Sequence, residues 1–349
     1  MFLLMDCRAH IPYKVYYVKG GFMKRLLALA VLVLFAAQPA YAETVKINLH
    51  SCCVTEDATT KEILPAFKKY YKEKFGKDVD VSASFAGSGT LKNQILGGAP
   101  VQVAVLSSEL YLDQLKEKGL ISSDWRKNPN KGAVIKSVIV FVTRKGNPKG
   151  LATFEDLARP GTKVLHASPD TSGGAQWAIF AIYGAGANFR NLSFGPEDGG
   201  VKLLSAVEKN VIAQPESARQ TFVQFDAGFG DAIVTYENEA LLEKAKGRDY
   251  AISVPKRTIE TEWKVARIDR NIRPEQEHAV RELIKFLYTT QAQRAYAKYG
   301  FRPVDKKVEK EFLAKYSKVA EPFTVDDLGG WKSARKNVIE NAWKQTQKR

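Results

Sequence analysis

Two short stretches carry the residue types that could hold an anion. Gly87-Ser88-Gly89 and Ser172-Gly173-Gly174 each set a serine hydroxyl among glycines. Each follows a β-prone run, Val79 to Phe85 and Lys163 to Ala167, and each leads into a helix-like one, Thr90 to Leu96 and Ala175 to Tyr183. A helix that starts at such a turn points several unpaired backbone N–H groups outward, at the positive end of its dipole. Glycines there let a ligand approach those groups closely. Either turn alone is a common kind of tight connection. The pair, far apart in the chain, suggests one ligand gripped from two sides. Neither turn has the Gly-Lys-Ser/Thr ending of a nucleotide phosphate loop, and no G-x-G-x-x-G is present, so a small oxyanion is the expected guest.

The elements that must position these turns follow a βα alternation. Val45 to His50 alternates as a strand, Thr59 to Phe75 has helical periodicity, and Val79 starts the next strand. A further strand is expected over Val101 to Leu106 and a helix over Ser108 to Lys118. Such units favour a parallel sheet, with ligands at the carboxyl ends of the strands. After the β-branched run Ile135 to Thr143 the segment Arg144 to Gly150 marks a crossing into a second lobe. There the alternation restarts. Two further strand-to-helix corners fall in that lobe, at Pro215 to Arg219 and at Tyr236 to Glu239. The chain is expected to return to the first lobe near Thr258 to Ala266, and residues 273–349 read as helices wrapping both lobes.

With 349 residues, 45% hydrophobic and 26% charged, the chain can bury a large core. Residues 23–42 read as an export signal: Met23-Lys24-Arg25, an apolar run from Leu26 to Ala37, and Pro39-Ala40-Tyr41-Ala42 as the cleavage pattern. Residues 1–22 precede this second start as an upstream extension, and a periplasmic protein cleaved after Ala42 is expected. Residues 1–42 carry five basic and one acidic side chain, so the remainder holds 48 bases and 37 acids, a charge of +11. Its lysines are interleaved with glutamates on helix faces, which reads as a solvated surface and argues against nucleic acid as a partner. Cys52 and Cys53 are expected as buried thiols, since a disulfide between neighbours is strained. Only three histidines follow the leader and none has ligand spacing except His50 near the cysteine pair, so neither a metal nor a cofactor is expected.

These residues resemble the periplasmic sulfate-binding proteins of ABC transporters over nearly all of the chain after the leader. The similarity is carried by Gly87-Ser88-Gly89, Phe141 to Lys149, Ser172 to Trp177, Gly228-Phe229-Gly230-Asp231-Ala232, Tyr236 to Ala240, Phe301-Arg302-Pro303 and Phe323 to Trp331. The resemblance implies a two-lobed type II periplasmic-binding fold of class α/β, each lobe a mostly parallel sheet flanked by helices, with two hinge crossings. Residues 43–140 and 262–349 would form the first lobe and residues 141–261 the second. It implies sulfate held without a counter-charge by Ser88 and Gly89 from the first lobe, and by Ser172, Gly173, Gly174, Ala218 and Tyr236 from the second. It also implies a monomer that delivers its cargo to an inner-membrane ABC permease.

Two departures from the family pattern bear on the guest. Tyr236 stands where the family has an indole donor; its phenol either donates or merely packs. Ser51-Cys52-Cys53-Val54-Thr55-Glu56-Asp57 replaces a Tyr-Asp-Pro-Thr-like turn after the first strand. If Glu56 or Asp57 faces the cleft, a protonated anion such as phosphate or arsenate becomes admissible. If only donors face it, sulfate is expected, with thiosulfate, molybdate or tungstate as alternatives. A sensor of anion occupancy would use the same cleft. A hydrolase is disfavoured: no histidine stands in triad order with a G-x-S-x-G elbow.

Overall fold

The computed structural model describes residues 44–348; the expected leader and its cleavage point lie outside them. In chain order the main elements are β1 (Val45–Cys52), α1 (Leu64–Phe75), β2 (Val79–Ala86), α2 (Ser88–Leu96), β3 (Val103–Leu106), α3 (Glu109–Glu117) and β4 (Ala133–Thr143). Then follow β5 (Val164–Leu165), α4 (Gly173–Gly186), α5 (Gly199–Glu208), β6 (Val211–Ala213), α6 (Ala218–Asp226), β7 (Ala232–Tyr236) and α7 (Glu237–Ala245). The chain continues with β8 (Ala251–Ser253), β9 (Arg257–Arg267), α8 (Glu277–Leu287), α9 (Thr290–Lys298), β10 (Arg302–Pro303) and β11 (Glu321–Phe323), and a helical stretch from Gly330 closes it. This is the expected type II periplasmic-binding architecture.

The strands join in the order β2-β1-β3-β9-β4-β7-β5-β6, and β4 is the seam. Its first half pairs with β9, matching Ile135 with Trp263 and Val138 with Glu260. From Ile139 onward it pairs with β7, matching Ile139 with Tyr236 and Thr143 with Ala232. One uninterrupted strand therefore belongs to both arms of the sheet. Pairing is parallel where helices cross over, between β1 and its neighbours β2 and β3 and between β5 and its neighbours β6 and β7. It is antiparallel wherever β4 or β9 meets another strand of these arms, because these two pass from arm to arm without a helical return. Along this path parallel pairing is thus confined to the outer part of each arm; off it, the short β11 pairs in parallel with the start of β9.

Helix formation follows burial. In α1 the buried residues Leu64, Phe67 and Tyr71 lie three and four apart, and Gly76 ends the helix in the left-handed region at φ 65°. Helix α4 carries no charged residue and is buried from Gly173 through Gly184. A helix apolar all round must lie inside the molecule. Its first turn is therefore held by the whole core. Residues after Arg273 form helices as expected, but also β10 and β11, which are two and three residues long and each contain a proline. Such short runs have no alternation to read.

Candidate functional site

Three helix-opening turns meet at one point. The amides of Gly89 and Thr90, at the start of α2, donate to the Thr171 carbonyl at 3.0 and 3.3 Å. The Thr171 hydroxyl donates to the Glu216 carbonyl at 2.8 Å, and the Ser168 amide donates to the Pro215 carbonyl at 2.7 Å. The turn at 87–89 thus abuts the turn at 171–174, which abuts the turn at 215–218. Glycine is required where they touch. A Cβ on Gly87 would lie 2.4 Å from the Thr171 carbonyl oxygen, and one on Gly173 would lie 2.1 Å from Ser107 Oγ and 3.5 Å from Ser88 Cβ.

Each turn is capped by its own serine or by a neighbour. Ser172 Oγ accepts from the Ala175 amide and Ser217 Oγ from the Gln220 amide, both at 3.3 Å, which orders the first turns of α4 and α6. Ser88 is fully buried, and its Oγ accepts from the Ser107 amide at 3.1 Å and the Ser107 hydroxyl at 3.0 Å. Ser107 is fixed in turn by the Trp177 indole, which donates to its carbonyl at 2.6 Å. Tyr236 is 1% exposed, and its ring edge would lie 2.8 Å from a Cβ on Gly174. Its hydroxyl faces the Ser107 side chain but makes no hydrogen bond of normal geometry among the described residues. Burial pushes that phenol well above its ordinary pKa, so it is a neutral donor at any physiological pH.

Of the residues expected from the sequence, Ser88, Ser172, Gly173, Gly174 and Tyr236 gather around this point, with Gly89 and Ala218 on the turns that border it. The Gly89 amide is directed at Thr171. Residues the sequence reading passed over stand among them. Ser107 bridges the Ser88 hydroxyl to Trp177, and Cys52 lies within reach of the Ser88 hydroxyl, the Trp263 indole and the Cys53 thiol. Those three partners pull the Cys52 thiol below its ordinary pKa against the effect of burial, while Cys53 is pushed up. Both cysteines are free and buried, as expected. Their position carried a signal: they close β1 at its carboxyl end, where open α/β sheets bind ligands.

Several charges near the site are paired with one another. Arg219 lies 2.8 Å from Asp57, 3.1 Å from Glu239 and 3.8 Å from Glu56. Burial opposes its charge, but Glu239 and Asp57 outweigh that and hold its pKa above the ordinary value. Asp57 also pairs with Lys61 at 2.7 Å, and these cations keep its carboxyl below the usual range despite burial. Burial raises Glu239 to about 7. Asp57 and Glu56 are thus both ion-paired with Arg219, although Asp57 Oδ2 accepts no hydrogen bond among the described residues. A hollow of about 390 Å³ on the far flank, lined by Glu62, Ile63, Phe286 and Phe312, shares no residue with these turns. Among the described residues no cluster of His, Cys, Asp and Glu could hold a metal, and no helix is long and apolar enough to cross a membrane.

The chain is similar to known proteins. Residues 54–302 match the family described as bacterial extracellular solute-binding protein. A sulfate-binding protein of Synechococcus elongatus is 34% identical, with 83% of this chain and 82% of that one aligned. A thiosulfate-binding protein of Pseudomonas aeruginosa is 28% identical over 90% of this chain and 95% of its own. The solved sulfate-binding protein SubI from Mycobacterium tuberculosis superposes with a TM-score of 0.77 at 30% identity, covering 84% of this chain and 99% of that one.

Proposed function

The chain belongs to the sulfate- and thiosulfate-binding branch of the bacterial extracellular solute-binding proteins, and from that premise we propose that it captures sulfate in a cleft between two lobes. The first lobe comprises residues 43–140 and 262–349 and the second residues 141–261. The anion is held by Ser88 and Gly89 on one side, the Gly89 amide exchanging its bond to the Thr171 carbonyl for one to the anion, and by Ser172, Gly173, Gly174, Ala218 and Tyr236 on the other. It acts in the periplasm, after removal of residues 1–42, as a monomer that hands its cargo to an ABC permease. No covalent step, cofactor or metal is involved.

The observation that carries this reading is the meeting of three helix starts from both sides of the β4 seam. A buried dianion loses several kcal/mol of hydration, and a converging array of N–H and O–H dipoles replaces that water without a fixed cation. Closure of the lobes then contributes selectivity, because the two sets of donors meet the ligand only in the closed form. Donors alone favour a fully deprotonated tetrahedral anion. A phosphate that keeps its proton needs an acceptor, and Asp57 and Glu56 are engaged with Arg219. Titration calorimetry with sulfate, thiosulfate, phosphate and molybdate tests the proposal. Saturable one-to-one heat with sulfate and none with phosphate is expected; the reverse pattern overturns it.

A further inference from the structure

Trp263 lies in the middle of β9, fully buried, and its indole N–H makes no hydrogen bond of normal geometry among the described residues; it faces only a weak acceptor, the Cys52 thiol. Buried indole N–H groups nearly always have a partner, because leaving the bond unmade forfeits the hydration given up on burial. Its surroundings are those of the anion site. The Tyr236 ring lies 4.7 Å away between centroids, and the Tyr236 hydroxyl likewise makes no hydrogen bond of normal geometry among the described residues. The Cys52 thiol lies within reach of both the Trp263 indole and the Ser88 hydroxyl. The register explains the meeting. Trp263 and Tyr236 flank the same strand, opposite Ile135 and Ile139 of β4, but on different sides of its seam.

We infer that Trp263 is a ligand-binding, specificity-determining residue whose indole N–H donates to the bound anion from the first lobe. This rests on the reading of the cleft as a sulfate site. The resemblance places an indole donor at position 236, in the second lobe, where this chain has a tyrosine. Here the indole has moved across the cleft. A phenol can donate or accept, so Tyr236 alone would tolerate a protonated guest; an indole only donates. Adding Trp263 beside it restricts the guest to an anion that presents lone pairs on every face. A proton on that face would set two donors against each other.

Packing alone gives a competing account, since Trp263 also meets Phe301 edge-on at 5.3 Å. The two accounts differ in what the N–H does. Replacing Trp263 by benzothienylalanine keeps the shape of the ring and removes only the N–H, and Trp263→Phe serves as the simpler companion. Calorimetry with sulfate should then show binding weakened by about tenfold or more in the benzothienylalanine protein, with an unchanged melting temperature in the absence of anion. In the unsubstituted protein, the Trp263 indole proton resonance, assigned by its disappearance in Trp263→Phe, should move downfield as sulfate is added. Affinity within about twofold of the unsubstituted protein, or a resonance that does not move, overturns the inference while leaving the sulfate reading intact. Failure of the unsubstituted protein to bind sulfate at all removes that reading and this inference with it.

Discussion

Gly173→Ala separates a binding role for the glycine turns from a structural one. Gly173 is not among the glycines in the left-handed region, so alanine fits its backbone, and at a helix start it is favoured over glycine by up to about 1 kcal/mol. What resists is space. The new Cβ would lie 2.1 Å from Ser107 Oγ, and that hydroxyl can escape only by breaking its 3.0 Å bond to Ser88. Overpacking of this kind costs about 1–3 kcal/mol. In the proposed lobe division Ser107 falls in the first lobe and Gly173 in the second, which puts the cost on the closed form alone. Sulfate affinity should drop about five- to 150-fold by calorimetry, while the anion-free protein melts no lower than before. Adding Ser107→Gly removes the obstructing hydroxyl and should restore at least part of the loss, a coupling of about 1 kcal/mol or more in the double-mutant cycle. Unchanged affinity in Gly173→Ala would falsify the convergence of the two turns on one guest, and a matching fall in melting temperature would make the glycine structural.

Ser172→Ala should weaken sulfate binding by about 1.5–3 kcal/mol, the range for a hydrogen bond to a charged group; full affinity would place the site elsewhere. Glu239, raised to about 7 by burial against an ordinary 4.5, holds its proton more tightly in the folded state than in the unfolded one. Its contribution to stability is therefore greatest below pH 4.5 and declines as the pH rises through 7, with a slope of at most about 1.4 kcal/mol per pH unit. Urea melts at several pH values should show this limb, and Glu239→Gln should flatten it; identical profiles contradict the assignment. Cys52, 3% exposed beside Ser88, should react with iodoacetamide only when the cleft opens, so saturating sulfate should slow its alkylation severalfold. Equal rates with and without sulfate would separate Cys52 from the cleft.

Much of this site was legible because its chemistry is local. Ser172 and Ser217 announce helix starts by their own capping hydroxyls, and Gly87 and Gly173 mark close approach whatever the rest of the chain does. The α/β class was legible from alternation, and the crossing strands from their β-branched composition. The remainder depends on register. Nothing in the vicinity of Trp263 indicates that β4 sets it beside Tyr236, and nothing near Cys52 shows that β1 ends against Ser88. The antiparallel pairing of β4 and β9 also escapes a reading by βα units, since those strands have no crossover helix of their own. That Glu56 and Asp57 pair with a cation could not be read from their spacing, because the partner, Arg219, comes from a helix far along the chain.

The central claim is that a tetrahedral dianion sits among uncharged donors contributed from both lobes. Selenate has the shape and charge of sulfate and scatters anomalously, so a crystal grown with selenate locates the anion directly. The expected result is a single anomalous peak within hydrogen-bond reach of both Ser88 Oγ and Ser172 Oγ. A peak held instead by lysine or arginine side chains on the surface, with none between those two serines, would contradict it.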